Sequence, residues 1–360
     1  MDKSVDLILP ALEIKIESLE KDPHCQEFLK QLKTAENVNL FCICGNSYSL
    51  QFFEELAPYL NKIKTIKKAI FSDIFVSRKE EIIPSLNILN KCLSNKQMIL
   101  FDISYNALCP DGCAAIVDIL KTNKGMKYLY LNHVALSQPG TVSICEAVKE
   151  AELDLISFQA IKNRIEIQAV KVAEMLEKMP NLEELIVFQN NIKDEEMRKM
   201  LEALKNCKKL RYLDLSDNYL KPESVVILID LLENYLDLKV LKISDCNIDS
   251  EDSDKLFKHL KDGKNKNLEV FTYNYNDLDD LAEATEALVD FKNLKQFECK
   301  GLGLDDEEYE EIKEKIKGVD CLFESEDEDD EEEVSTQKKK EDKDEKIKML
   351  IDDFKHLEFM

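Results

Sequence analysis

The sequence predicts an α/β solenoid, with short parallel strands on a concave face, helices on a convex face, and one strand and one helix in each repeat. Three observations predict it. An eleven-residue template, L-x-x-L-x-L-x-x-N-x-L, recurs through the chain. Its copies begin at Val38, Ile66, Met98, Met126, Leu155, Leu182, Leu210, Leu238, Leu268 and Leu294, spaced 26 to 32 residues apart. The 360 residues exceed the ~250 to 300 at which one compact core stops growing, and eight glycines and eight prolines leave little room for loops. Repetition is then the route by which such a chain buries its apolar residues.

Taken in chain order, residues 1–29 are expected to cap the first strand edge, because residues 7–25 carry an imperfect apolar pattern. Residues 30–323 form one leucine-rich-repeat horseshoe with units of about 28 residues. In the clearest copies (Leu210, Leu213, Leu215, Asn218, Leu220; Leu182, Leu185, Val187, Asn190, Ile192; Met98, Phe101, Ile103, Asn106, Leu108) the L-x-L core alternates as a strand does. The second half of a unit follows helical spacing, as in Met197, Met200, Leu201 and Leu204. Pro110, Pro139 and Pro222 fall where helices should begin and a missing backbone donor costs nothing. Asn46, Asn106, Asn190, Asn218 and Asn276 are expected to turn inward and satisfy backbone groups of the bend. Residues 324–333 hold nine acids and one serine, which predicts a disordered, charged tail running to 346. Within 347–360, Ile347, Leu350, Ile351, Phe354 and Leu357 share one face of a short amphipathic helix.

A net charge of −24 repels a phosphate backbone and excludes direct nucleic-acid binding; a basic protein partner fits better. The eleven cysteines lie scattered at apolar positions and read as reduced core residues. No run of eighteen apolar residues occurs, so no membrane insertion is expected and the protein reads as soluble and intracellular. No phosphate loop, H-E-x-x-H or G-x-S-x-G signature is present, and four dispersed histidines build no zinc cluster. The expectation is a binding protein with neither an intrinsic catalytic site nor a metal. Lysine supplies nearly all positive charge; the arginines are Arg78, Arg164, Arg198 and Arg211. Arg78 and Arg164 both follow strands on the same edge of the solenoid, where a planar fork could read a partner carboxylate or phosphate.

Several segments resemble the Ran GTPase-activating protein family. Phe71-Ser-Asp-Ile-Phe-Val-Ser-Arg78 with Glu81-Ile-Ile-Pro84 resembles that family's F-S-D-I-F-T-G-R and E-I-P run. Ser104-Tyr-Asn-Ala-Leu-Cys-Pro-Asp-Gly112 resembles S-D-N-A-F-G-P-D-G, Tyr128-Leu-Tyr-Leu131 the strand that follows it, and Lys162-Asn-Arg-Ile-Glu166 resembles R-N-R-L-E. The resemblance implies a monomeric activator of the small GTPase Ran in its GTP form, with a Ran-binding protein as a further partner. GTP and Mg²⁺ would be held by the GTPase, and the chain would need no cofactor. It also implies a role in nucleocytoplasmic transport, a cytoplasmic or nuclear-envelope location, and GTPase-binding positions at Arg78, Asn132, His133, Lys162, Asn163 and Arg164. The chain has Asn132-His133 where the family presents an Asn-Asn pair, Lys162 in place of an arginine, and Tyr105 in place of an aspartate. The alternatives are an acidic repeat scaffold for a basic protein and a family member that binds Ran without activating it.

Overall fold

A computed structural model describes residues 4–322, apart from 236, 264, 265, 280, 290, 302–305 and 317. Among these residues, twelve strands form one parallel sheet that follows chain order. They are β1 (Val5–Ile8), β3 (Asn37–Cys42), β5 (Thr65–Ile70), β6 (Leu100–Asp102), β7 (Tyr128–Tyr130), β8 (Ser157–Gln159), β9 (Glu184–Ile186), β10 (Tyr212–Asp214), β11 (Val240–Lys242), β12 (Val270–Thr272), β13 (Gln296–Glu298) and β14 (Asp320–Leu322). Two short strands, β2 (Lys15–Ile16) and β4 (Ser47–Tyr48), pair separately. Parallel neighbours joined through helices make this an α/β leucine-rich-repeat solenoid.

The register is the one the template dictates. Phe41, Ala69, Phe101, Leu129, Phe158, Leu185, Leu213, Leu241, Phe271 and Phe297 hold the fourth template position and lie side by side across the sheet. All ten are buried. A slip of one residue would turn that row away from the core, which is why a repeating leucine template fixes pairing so firmly. Each large apolar side chain in the row contributes about 1.5–3 kcal/mol by leaving water. Aromatic members also stack between repeats, the Phe271 and Phe297 rings lying 5.7 Å apart, and Phe71 at the sixth position lies 5.7 Å from Phe41.

The helices complete the core. Helix Asp194–Leu204 buries Met197, Met200, Leu201 and Leu204, the stripe expected from its spacing. Pro222 opens helix Pro222–Asn234, and Pro110 and Pro139 lie in the first turns of Cys109–Ala115 and Ser137–Glu150. Ser49 caps helix Leu50–Lys62 by accepting from the Phe52 amide. At that helix's other end, buried Lys96 donates to the Leu60 and Ile63 carbonyls at 2.8 and 2.5 Å, satisfying acceptors the helix leaves over.

At the N-terminal end, β1 extends the sheet beside β3, with Leu7 opposite Phe41 and fully buried. The chain then crosses the strand-to-helix turn of the first repeat and reaches helix Gln26–Thr34. The cap boundary expected at residue 29 falls inside that helix. The expectations for 324–346 and 347–360 lie outside the described residues, and no helix among the described residues is long and apolar enough to cross a membrane.

One strand-end feature has a measurable pH signature. Asp102 at the end of β6 is buried and accepts from the Ser104 amide at 2.9 Å; Asp214 repeats the arrangement with Ser216 at 3.0 Å. Burial pushes the Asp102 carboxyl up to about 6, only partly offset by Ser104. The folded chain therefore keeps this proton to a higher pH than the unfolded chain, so this group's contribution to stability falls as pH rises from about 4 to about 6. Asp102→Asn cannot ionise, and its stability relative to the natural chain is expected to climb across that window and then level off. Urea unfolding of both proteins from pH 4 to 7.5 checks this; a difference independent of pH would refute it.

Candidate functional site

Each strand passes into its helix through the same turn, and three template positions build it. Position eight adopts left-handed backbone in every repeat: Gly45, Asp73, Tyr105, His133, Lys162, Gln189, Asp217, Asp245, Tyr275 and Gly301 have φ between 51° and 71°. Their amides donate along the row to the next repeat's carbonyls: Tyr105 to Asn132 (2.7 Å), His133 to Ile161 (2.8 Å), Lys162 to Phe188 (3.0 Å) and Gln189 to Ser216 (2.9 Å). A residue with a β-carbon costs roughly 1 kcal/mol more than glycine in this conformation. Glycine occupies only the two ends of the row. The eight inner repeats keep side chains there, displayed at the strand spacing of about 4.8 Å.

Position nine carries the inward asparagine. In Asn163, Nδ2 donates to the Leu131 carbonyl at 2.6 Å, and Oδ1 accepts from the Val134 and Leu136 amides at 3.1 and 3.3 Å. Asn190, Asn218 and Asn276 bond to the preceding repeat in the same way, and Asn46 reaches back to Leu12 and Pro10 of the N-terminal segment. Cys246 stands at this position in its repeat, and its thiol points at the Leu215 carbonyl at 3.6 Å.

Position seven supplies a second ladder. Ser104, Asn132, Ser216, Ser244 and Asn274 each accept the amide of the equivalent residue one repeat on, at 2.8–3.1 Å. Asn132 Nδ2 also donates to Gln159.

The expected site residues therefore separate. His133, Lys162 and Arg164 stand together on the strand-to-helix rim, at positions eight and ten of adjoining repeats. Asn132 and Asn163 are buried and their side-chain amides are taken up inside the chain, Asn163 by backbone groups and Asn132 by the Ile161 amide and the Gln159 side chain, so these two expectations are corrected to framework positions. Asn163 lies eight residues past Leu155, the same count that separates Asn190 from Leu182.

Arg78 is corrected as well. Its side chain is only 8% exposed, with Nε donating to Ser47 Oγ at 3.1 Å, Nη1 to Glu17 and Glu81 at 3.0 and 3.1 Å, and Nη2 to Glu17 at 2.6 Å. The guanidinium clasps the N-terminal segment onto the first repeats and is not presented to a partner. The same contacts hold Glu17 below the usual carboxylate range.

On the rim, His133 stacks on Tyr105 with ring centroids 5.0 Å apart and planes 18° apart. Partial burial, then the neighbouring Lys162 charge, lowers the His133 pKa, which favours the neutral imidazole. Lys162 Nζ lies 5.7 Å from the centre of the Phe188 ring. Beside it opens a cleft of about 370 Å³, walled by Lys162, Arg164, Gln189, Asn191, Asp217 and Tyr219. Sequence reading missed Gln189, Asn191, Asp217 and Tyr219, although each holds position eight or ten beside a residue that was singled out.

This arrangement offers recognition groups. Burial makes Cys145 and Cys207 poor nucleophiles by pushing both thiols up to about 12. Cys109, expected in the core, is exposed, because it opens helix Cys109–Ala115 from a left-handed turn on the rim.

Fold and rim together define a leucine-rich-repeat protein with a preorganised strand-to-helix edge, and the leucine-rich-repeat family model matches residues 206–226. The chain is similar to Ran GTPase-activating proteins. It is 26% identical to Ran GTPase-activating protein 2 of Caenorhabditis elegans over 191 residues, which are 49% of this chain and 20% of that protein. It is 26% identical to Ran GTPase-activating protein 1 of Xenopus laevis over 182 residues, 46% of this chain and 31% of that protein. The matched region thus spans less than a third of either relative. Among solved structures, a TLR13–ssRNA13 complex matches with a TM-score of 0.38 and 15% identity over 66% of this chain and 33% of that one.

Proposed function

We propose that this chain stimulates GTP hydrolysis by Ran in nucleocytoplasmic transport, docking through its strand-to-helix rim and holding the GTPase's own catalytic groups in place. The observation that carries this reading is the position-eight row. Side chains persist at strained positions where glycine would cost less, and the row brings His133 and Lys162 to one edge, with Arg164 beside them at position ten. Phosphoryl transfer depends on positioning and charge stabilisation, so a rigid edge can accelerate it without contributing a reacting group. Arg78, held by two carboxylates, is not an inserted finger here; it acts on the fold. The GTPase brings GTP and Mg²⁺, and this chain requires no cofactor.

The test is phosphate release from GTP-loaded Ran mixed with the full chain. Acceleration by catalytic amounts is expected. Association without acceleration would make the protein a Ran-binding relative that has lost activation, with His133 in the family's asparagine position as the first residue to revert. Absence of association would overturn the proposal.

A further inference from the structure

Resting on the reading that the rim meets a protein partner, we infer that the cleft between Lys162 and Arg164 receives a carboxylate side chain of that partner. The chain carries 24 excess negative charges, and its other arginines are occupied. Arg78 pairs with Glu17, Arg198 with Asp194, and Arg211 with Glu183. Arg164 differs from the other three arginines: among the described residues it forms no ion pair, and neither does Lys162, two residues away.

Both residues sit in left-handed backbone, at φ 54° and 56°, with buried Asn163 between them. The peptide is therefore pinned from inside by three amide bonds while the two cations project from its outer side. Asn190 is equally fixed, its Nδ2 donating to the Ala160 carbonyl at 2.7 Å. A cation pair on so constrained a backbone leaves only the two side chains to be ordered on binding, and the guanidinium fork matches the two oxygens of a carboxylate.

The cleft also selects among anions. Lys162 and Arg164 bring two positive charges, and Asp217 on the far wall brings one negative charge. The remaining single positive charge balances a carboxylate, whereas a dianionic phosphate would leave the cleft with a net negative charge.

Two arms test this. In the ¹⁵N-labelled full chain, the Arg164 Nε–Hε resonance is followed during titration with sodium acetate, and with sodium chloride and inorganic phosphate at matched ionic strength. Acetate is expected to move Arg164 and leave Arg198 and Arg211 in place. Equal response to chloride, or a larger response to phosphate than to acetate, would overturn the inference. In the second arm, K162E/R164E is expected to weaken association with GTP-form Ran by roughly tenfold or more, about 1.4 kcal/mol or above, with the melting temperature unchanged and R211E as the control. If the natural chain binds Ran and the double variant binds equally well, the inference fails. If the natural chain does not bind Ran, the proposed function fails and the acetate arm still judges the cleft.

Discussion

Asn163→Ala is expected to lower the unfolding free energy by about 3 kcal/mol, one of the largest effects available from a single side-chain truncation on the rim. The amide group satisfies the Leu131 carbonyl and the Val134 and Leu136 amides, all within the buried turn of the preceding repeat. Each orphaned backbone group costs about 1–3 kcal/mol, and water entering the vacated space recovers part of that. The preceding repeat is especially exposed to the loss, because Val134 occupies its own asparagine position and brings no polar group. Asn163→Asp should fall between the two: it can still accept from the two amides, but it cannot donate to Leu131 and carries a charge into a buried site. Urea unfolding followed by circular dichroism measures both. An Asn163→Ala protein that melts like the natural chain yet no longer associates with Ran would restore this residue to the partner surface.

The second large effect is expected from Arg78→Ala, which should loosen the N-terminal segment by about 2–3 kcal/mol. Breaking a buried ion pair ordinarily costs about 3–5 kcal/mol, reduced here because Glu17 is 64% exposed and rehydrates readily. The loss spreads through a small network. Glu81 also accepts from the Leu50 amide at the start of helix Leu50–Lys62, and Ser47 Oγ donates to the Val76 carbonyl. Hydrogen exchange should show faster exchange at residues 14–19 and near Leu50, with little change beyond the third repeat, since repeats touch only their neighbours. Arg78→Lys should retain part of the stabilisation, because one ammonium cannot reach two carboxylates and a hydroxyl together. The pair also links to pH: Glu17 is held below its ordinary value by Arg78, so its contribution is complete above the unfolded carboxylate pKa and fades as pH falls through the lowered one. Unchanged exchange in Arg78→Ala would remove the clasp from this account.

The sheet was legible because its signal repeats. Ten copies of one template set the register of ten of the sheet's twelve strands, and the fourth-position row from Phe41 to Phe297 pairs as counted. Asn163 was equally legible by counting from Leu155, but the family resemblance placed it among the GTPase-binding positions with its neighbours. Asn132 was harder, since Ser104, Ser216 and Ser244 do the same work with a different side chain and no single letter marks the position. The Arg78 clasp was beyond reach: Glu17 is 61 residues away, and the path of the N-terminal segment across the first turn follows no period. The cleft was half visible, because Lys162 and Arg164 adjoin in sequence while Gln189, Asn191, Asp217 and Tyr219 come from the next two repeats.

The bonds that the position-nine asparagines make between repeats run one way. Asn163 braces the repeat that starts at Met126, Asn190 the one at Leu155, Asn218 the one at Leu182 and Asn276 the one at Leu238. The two ends of any fragment are therefore unequal. Cutting before Asn218 strips the retained Asn190 and Ile192 amides of their acceptor, whereas cutting after Asn163 at the other end leaves the new first repeat's own backbone still served by the repeat behind it. Around Asn163, Asn190 and Asn218, shortened versions that lose leading repeats should hold together better than those that lose an equal number of trailing ones, a handedness of tolerance written into these side-chain amides.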